Sequence, residues 1–239
     1  MLPRERTCKL VDKWRGHRAN GTDSNKGGHW YKSLAKLLQC PFEEFGNNDI
    51  SIITFNYDRS LEHYLCTTLA KLYGKTEAEC AEKLKEINIV HIYGQLGFLP
   101  WQGPKDPNFF KIKYEAYGPI DDREKRITIQ YAMKYIKIMS ETIEKDDPDI
   151  ERAKKLINEA EKTYILGFGF HPRNIEIIGM DKLPKDKMIR GTCMGLSMQH
   201  KLDLGKLGPT CLGWDKDNNN PRGLCEMDVY DFLHNTAIE

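Results

Sequence analysis

The sequence has no cysteine pair at CxxC spacing, although it contains seven cysteines, at positions 8, 40, 66, 80, 193, 211 and 225. An odd number at irregular spacing argues against a disulfide framework and a structural zinc module, and points to a reducing, cytoplasmic setting. No apolar run approaches the roughly 18 residues that cross a bilayer, so no membrane partner is expected. The opening MLPRERTCKLVDKW carries charge without an apolar core and does not read as a secretory signal. Charge of one sign is missing too: 36 Lys and Arg against 35 Asp and Glu leave a net +1, which gives no electrostatic reason to expect direct nucleic-acid binding. A glycine-rich phosphate loop is also lacking, because the Gly27-Gly28 pair sits in the polar stretch NGTDSNKGG with no apolar strand before it.

What is present is a chain of 239 residues, 40% apolar and 30% charged, able to bury a sizeable core. Residues 1–28 read as a basic N-terminal segment and loop, with a short helix around Leu10, Val11 and Trp14. Residues 29–239 read as one domain. Its most informative stretch is Asp49 to Leu65, DISIITFNYDRSLEHYL. The β-branched run Ile50–Phe55 has the composition of a strand buried on both faces. Asn56-Tyr57-Asp58 breaks it, Asp58 offers an N-cap, and Leu61, Leu65 and Leu69 mark a helix that runs to Tyr73 with Gly74 as its terminator.

The alternation continues along the chain. A helix is expected from His29 to Cys40 and another at Thr76, where Glu79 completes a capping box. Strands are expected at Ile87–Tyr93, Thr163–Leu166 and, as the last one, Met188–Met194. Helices follow at Asp149–Glu161, from Ser197, and at Met227–His234. Residues 95–108 read as a loop, 109–120 as a hairpin or lid, 123–133 as helix, and 135–139 as a strand or the continuation of that helix. The fold class is therefore α/β: a Rossmann-like, mostly parallel sheet with helices on both faces, incomplete at its N-terminal strand. Asp215 to Glu226 imitates a calcium loop, but Asn220 stands where that loop needs glycine and Pro221 follows, so no metal is assigned.

Three strands end in distinctive turns: Thr54-Phe55-Asn56-Tyr57-Asp58, His91-Ile92-Tyr93-Gly94-Gln95, and Gly167-Phe168-Gly169-Phe170-His171. Glycine after a strand lets backbone approach a phosphate or ribose, and a following helix N-terminus favours anions. ITFNYDRSLE, HIYGQLG and LGFGFHPRN, in that order, resemble the sirtuin-like NAD-binding family. More narrowly they are similar to bacterial sirtuin-like proteins, several of which are NAD-consuming antiphage effectors. The resemblance runs from His29 to Leu233 and implies NAD as substrate or ligand, without a metal. It implies hydrolysis to nicotinamide and ADP-ribose, with a second copy of the chain or another defence-system subunit as partner.

The resemblance also distributes roles. Asn56 matches the family's signature asparagine beside the nicotinamide ribose; by its local sequence it is equally a turn former. The family histidine precedes a glycine; here Tyr93 holds that place and His91 lies two residues earlier, on the same face of an unbroken strand. Asn56 and His91 are thus the candidate catalytic residues. Thr54, Phe55, Asp58, Tyr93, Gly94, Gly167, Phe168, Gly169 and His171 are the candidate NAD contacts. Asp58 and His171 also read as helix caps, and His91 as a hydrogen-bonded core histidine. The family's first glycine-rich turn is not matched, which counts against the enzyme reading, and its paired-cysteine zinc module is not matched either, which disfavours lysine deacylation. The alternative is an inactive nucleotide-sensing or assembly domain, or a fragment of a longer or split enzyme.

Overall fold

This computed structural model describes residues 7–11, 29–96, 99, 101, 136–137, 147–205, 214–215 and 223–235. The strands are β1 (Thr7–Val11), β2 (Ile50–Thr54), β3 (Asn88–His91), β4 (Lys162–Leu166), β5 (Met188–Thr192), β6 (Trp214–Asp215) and β7 (Gly223–Cys225). They form one sheet in the order β3-β2-β1-β4-β5-β7-β6, and every neighbouring pair is parallel. The helices are α1 (His29–Leu37), α2 (Ser60–Tyr73), α3 (Glu77–Leu84), α4 (Pro148–Glu159), α5 (Pro172–Ile177), α6 (Met198–Leu204) and α7 (Val229–Asn235). The first five sheet positions follow the doubly wound Rossmann-like order, whose switch point lies between β1 and β4.

Local chemistry accounts for most element boundaries. The Thr76 side chain accepts from the Glu79 amide while the Glu79 carboxylate accepts from the Thr76 amide, a complete capping box at the start of α3. Asp147 caps α4 by accepting from the amides of Asp149 and Ile150, and Pro148 occupies the first turn, where no amide proton is needed. Gly74 ends α2 in the left-handed conformation at φ 62°. Asp58 is not the cap of α2: its carboxylate accepts from the Ser60 amide at 2.9 Å in a turn, and the helix begins at Ser60.

Three expectations need correction. Thr7–Val11 is a strand rather than a helix, and it lies in the middle of the sheet, paired with β2 on one side and β4 on the other. The sheet is therefore not incomplete at its N-terminal strand. Met188–Thr192 is not the last strand either, because β7 and β6 extend the sheet beyond it. The expected elements over 109–133, most of the 135–139 strand and most of the calcium-like loop lie outside the described residues. At positions 136–137, Ile136 bridges antiparallel to Gly94 and the Lys137 amide donates to the Tyr93 carbonyl. Glu226, the last position of the calcium-like pattern, is paired with the Lys201 ammonium.

The two sheet faces carry two cores. On one face Ile53, Phe55, Val90, Ile92, Ile165 and Ile189 pack beneath α4 and α5. On the other, Ile50, Ile52, Tyr164 and Leu166 pack beneath α1, α2, α3 and α7. The alternation of 50 and 52 against 53 and 55 is the side-chain period of a strand buried on both sides. β4 and β5 approach so closely that a Cβ on Gly191 would collide with the Ile165 carbonyl oxygen. Gly191→Ala is therefore expected to destabilise the protein by about 1–3 kcal/mol, measured as a lower urea midpoint; an unchanged midpoint would show that the strands part freely there.

Candidate functional site

The carboxyl ends of β2, β3 and β4 share one aromatic floor. Phe55 meets Tyr93 edge-on at 5.6 Å between centroids and Phe168 at 5.1 Å, and Phe168 meets Phe170 at 5.0 Å. All four rings are buried. The Tyr93 hydroxyl donates to the Asn174 amide oxygen at 2.5 Å, which fastens the second turn to α5 behind the third. The Leu96 amide donates to the Tyr57 carbonyl at 2.6 Å, which fastens it to the first. The three turns singled out in the sequence are thus brought together at one sheet edge.

Above this floor the accessible groups are few. Asn56 is half-buried, its backbone amide donates to the Thr54 hydroxyl at 3.1 Å, and its side-chain amide has no hydrogen-bond partner among the described residues. Gly169 and His171 are exposed. His171 caps α5 by accepting from the Arg173 amide at its Nδ1. Gly167, at φ 64°, gives its amide to the Thr192 hydroxyl at 2.9 Å, so that donor is already used. Phe170 holds φ 50°, unusual for a bulky residue. Its carbonyl accepts from His200 Nε2 at 3.2 Å. Thr54, Phe55 and Phe168, expected as NAD contacts, are buried in the fold and support the turns from below. Gly94 takes φ 73° to turn the chain out of β3.

His91 and Tyr93 do not share a face. β3 ends at His91, and the turn that follows sends Tyr93 to the aromatic floor while His91 lies against α2. There Nδ1 donates to the Asn56 carbonyl at 2.7 Å and Nε2 meets Glu62 Oε1 at 2.8 Å. Arg59 Nη2 donates to the same oxygen at 2.8 Å. Both ring nitrogens of the imidazole are thereby engaged, one with a backbone carbonyl and one with a carboxyl oxygen. All three side chains are buried. The group clamps the backbone of Asn56 to β3, and His91 is a positioning residue in this arrangement.

Neither Arg59 nor Glu62 stands out as a site residue in the sequence. A signal was nonetheless there: Glu62 shares the helix face of Leu65 and Leu69, where a lone carboxylate must find buried partners. Burial alone would raise the Glu62 carboxyl, but the hydrogen bond and charge of His91, together with the charge of Arg59, hold it below the usual carboxylate range. A carboxyl depressed in the folded state contributes stability that is complete above its unfolded value near 4.5 and is lost as pH falls through the folded value. Glu62→Gln should cost about 3–5 kcal/mol at neutral pH. As pH falls below about 4.5 the unfolding midpoint of the wild type should move toward that of the variant. Parallel curves over that range would contradict the ion pairing.

A cleft of about 660 Å³ opens at the other edge of the sheet, beside Asp49, Glu86, Glu159 and Glu161. Four carboxylates there repel a pyrophosphate, which leaves the carboxyl edge as the better place for an anionic dinucleotide. Among the described residues no group of three or more His, Cys, Asp or Glu side chains is placed to hold a metal ion, and no helix is long and apolar enough to cross a membrane. Compared with known proteins, the chain matches no family model, no curated protein and no solved structure, so the reading of this edge rests on its own residues and geometry.

Proposed function

We propose that the domain binds NAD across the carboxyl edge of its sheet and hydrolyses the nicotinamide–ribose bond. The observation that carries this reading is the Asn56 side chain, presented without a partner among the described residues, on a turn fixed by His91 from behind and by the aromatic floor below. The exposed Gly169 turn, two strands away across β1, offers backbone without a Cβ for the other half of the dinucleotide.

The chemistry makes modest demands on the protein. The glycosidic C–N bond breaks with its electron pair passing to the ring nitrogen, so nicotinamide leaves neutral and needs no acid. Water oxygen bonds to the ribose carbon, and the surplus proton passes to solvent. An amide can hold that water or a ribose hydroxyl in place, which is a contribution of orientation. Consumption of a cell's NAD pool by such a reaction would suit a role in antiphage defence.

A second reading, binding without turnover, is favoured by the state of the two candidate bases. His91 has both nitrogens engaged and is 7% exposed, and the Tyr93 hydroxyl is committed to Asn174. The two readings separate in one experiment. Hydrolysis predicts NAD loss with the purified protein and a fall of about a hundredfold in Asn56→Ala, with NAD affinity measured by calorimetry changed far less. Saturable NAD binding with no product would establish the second reading, and absence of both would overturn the proposal.

A further inference from the structure

β3 stands at the end of the sheet order, with β2 on one side and no further strand among the described residues on the other. Which of its backbone groups face outward follows from its pairing. The Ile92 amide donates to the Thr54 carbonyl at 2.9 Å, and Thr54 stands opposite His91 in the register. In a parallel ladder a residue turns its N–H and C=O to one side, and the next residue turns them to the other. Val90 and Ile92 therefore bond toward β2, while Ile89 and His91 turn their backbone groups to the open edge. The His91 carbonyl accepts from the Gly94 amide, and just beyond it Ile136 bridges Gly94. Ile89 has no such cover: it is half-buried, and its amide and carbonyl have no hydrogen-bond partner among the described residues.

The space beside these groups is open. A cavity of about 130 Å³ is lined by Ile87, Ile89 and His91, the alternate residues of this edge, and by Ala81, Leu84 and Trp101 on the α3 side, next to the Arg59–Glu62 pair. At about 30 Å³ per liquid water, it holds about four heavy atoms, the size of one β-branched side chain. The α4 side carries charge. Arg152 of α4 is exposed and gives one of its five N–H donors to the neutral Asn88 amide. Among the described residues no carboxylate pairs with it, whereas the other two cations of the cavity, Arg59 and Lys85, are paired with Glu62 and Glu82. The edge therefore offers two free backbone groups, a socket on one face and one uncompensated positive charge on the other.

We propose that β3 takes up an extended acidic segment of a partner protein as an added antiparallel strand. The partner residue opposite Ile89 exchanges both backbone hydrogen bonds with it, and directly opposed residues share a face of the sheet. Its side chain therefore enters the cavity on the α3 side. The partner's preceding and following residues turn to the α4 face, where a carboxylate meets Arg152. The recognised pattern is acidic, β-branched, acidic: main-chain bonds supply affinity, and alternate side chains supply selectivity. A second copy of this chain fits less well. Two-fold pairing about Ile89 brings both Arg152 side chains to the same face of the junction, where like charges oppose it. The inference is independent of NAD chemistry and stands or falls separately from it.

A proton–nitrogen NMR titration of the labelled full chain with two synthetic peptides tests the proposal. One is acetyl-Thr-Glu-Val-Glu-Thr-amide, and the other carries lysine in place of both glutamates. The acidic peptide is expected to shift the Ile89 and His91 backbone amides saturably and to bind about fivefold more tightly than the basic one. Methylating the valine amide nitrogen, which removes the donor to the Ile89 carbonyl, should abolish saturable binding. Arg152→Glu, a change at an exposed position, should reverse the order of the two peptides. No saturable shift at Ile89 and His91 with millimolar acidic peptide, or equal binding of both peptides to the wild type, would overturn the assignment. A peptide-free dimer in sedimentation, with the Ile89 amide shifting on dilution, would overturn it in favour of a second copy of the chain.

Discussion

The fold depends on the pairing of five residues, Thr7–Val11, with a strand on each side. β2 and β4 are not paired with each other in this order; each pairs with β1 along its whole length, from Thr7 opposite Ile50 and Lys162 to Val11 opposite Thr54 and Leu166. Without β1 the sheet would separate into a β3-β2 pair and a β4-β5-β7-β6 group, each with a bare parallel edge and half a core exposed. The switch point of the sheet is made by the same strand, because the chain winds outward from it in both directions. The candidate site inherits its geometry from this: Asn56 and Gly169 stand on turns one strand either side of β1.

Around that axis the carboxyl edge is built from two kinds of support. Below, the rings of Phe55, Tyr93, Phe168 and Phe170 supply apolar burial of about 1.5–3 kcal/mol each and fix the relative positions of the turns. Behind, the Arg59–Glu62–His91 group supplies directional bonds that hold the carbonyl of Asn56. Apolar packing sets the spacing of the turns, and the buried charges set the orientation of one amide. Thr54, Phe55 and Phe168 belong to the supporting layer: all three are buried beneath the turns.

Much of this arrangement was legible in the chain. The ISIIT run and the Thr76–Glu79 capping box are local signals, and each produced the element its chemistry demands. β1 was not legible because TCKLV is short, has one lysine at its centre and lies among charged residues; its strand state comes from pairing on both sides, which no local window contains. The convergence of three turns could be expected from a parallel sheet. The divergence of His91 from Tyr93 could not, since strand alternation places them together and only the early end of β3 separates them. Glu62 was hidden for a related reason: one of its two partners, His91, lies on β3, 29 residues away in sequence.

The central claim is that a dinucleotide lies over the Asn56 and Gly169 turns, at the edge opposite the acidic cleft. The most direct measurement is a two-dimensional proton–nitrogen NMR titration of the labelled protein with NAD. Saturable shifts of the Asn56 side-chain amide and the Gly169 backbone amide, with Asn47 and Asn48 unmoved, are the predicted result. Shifts confined to Asn47, Asn48 and their neighbours, or no saturable shift at either edge, would contradict it.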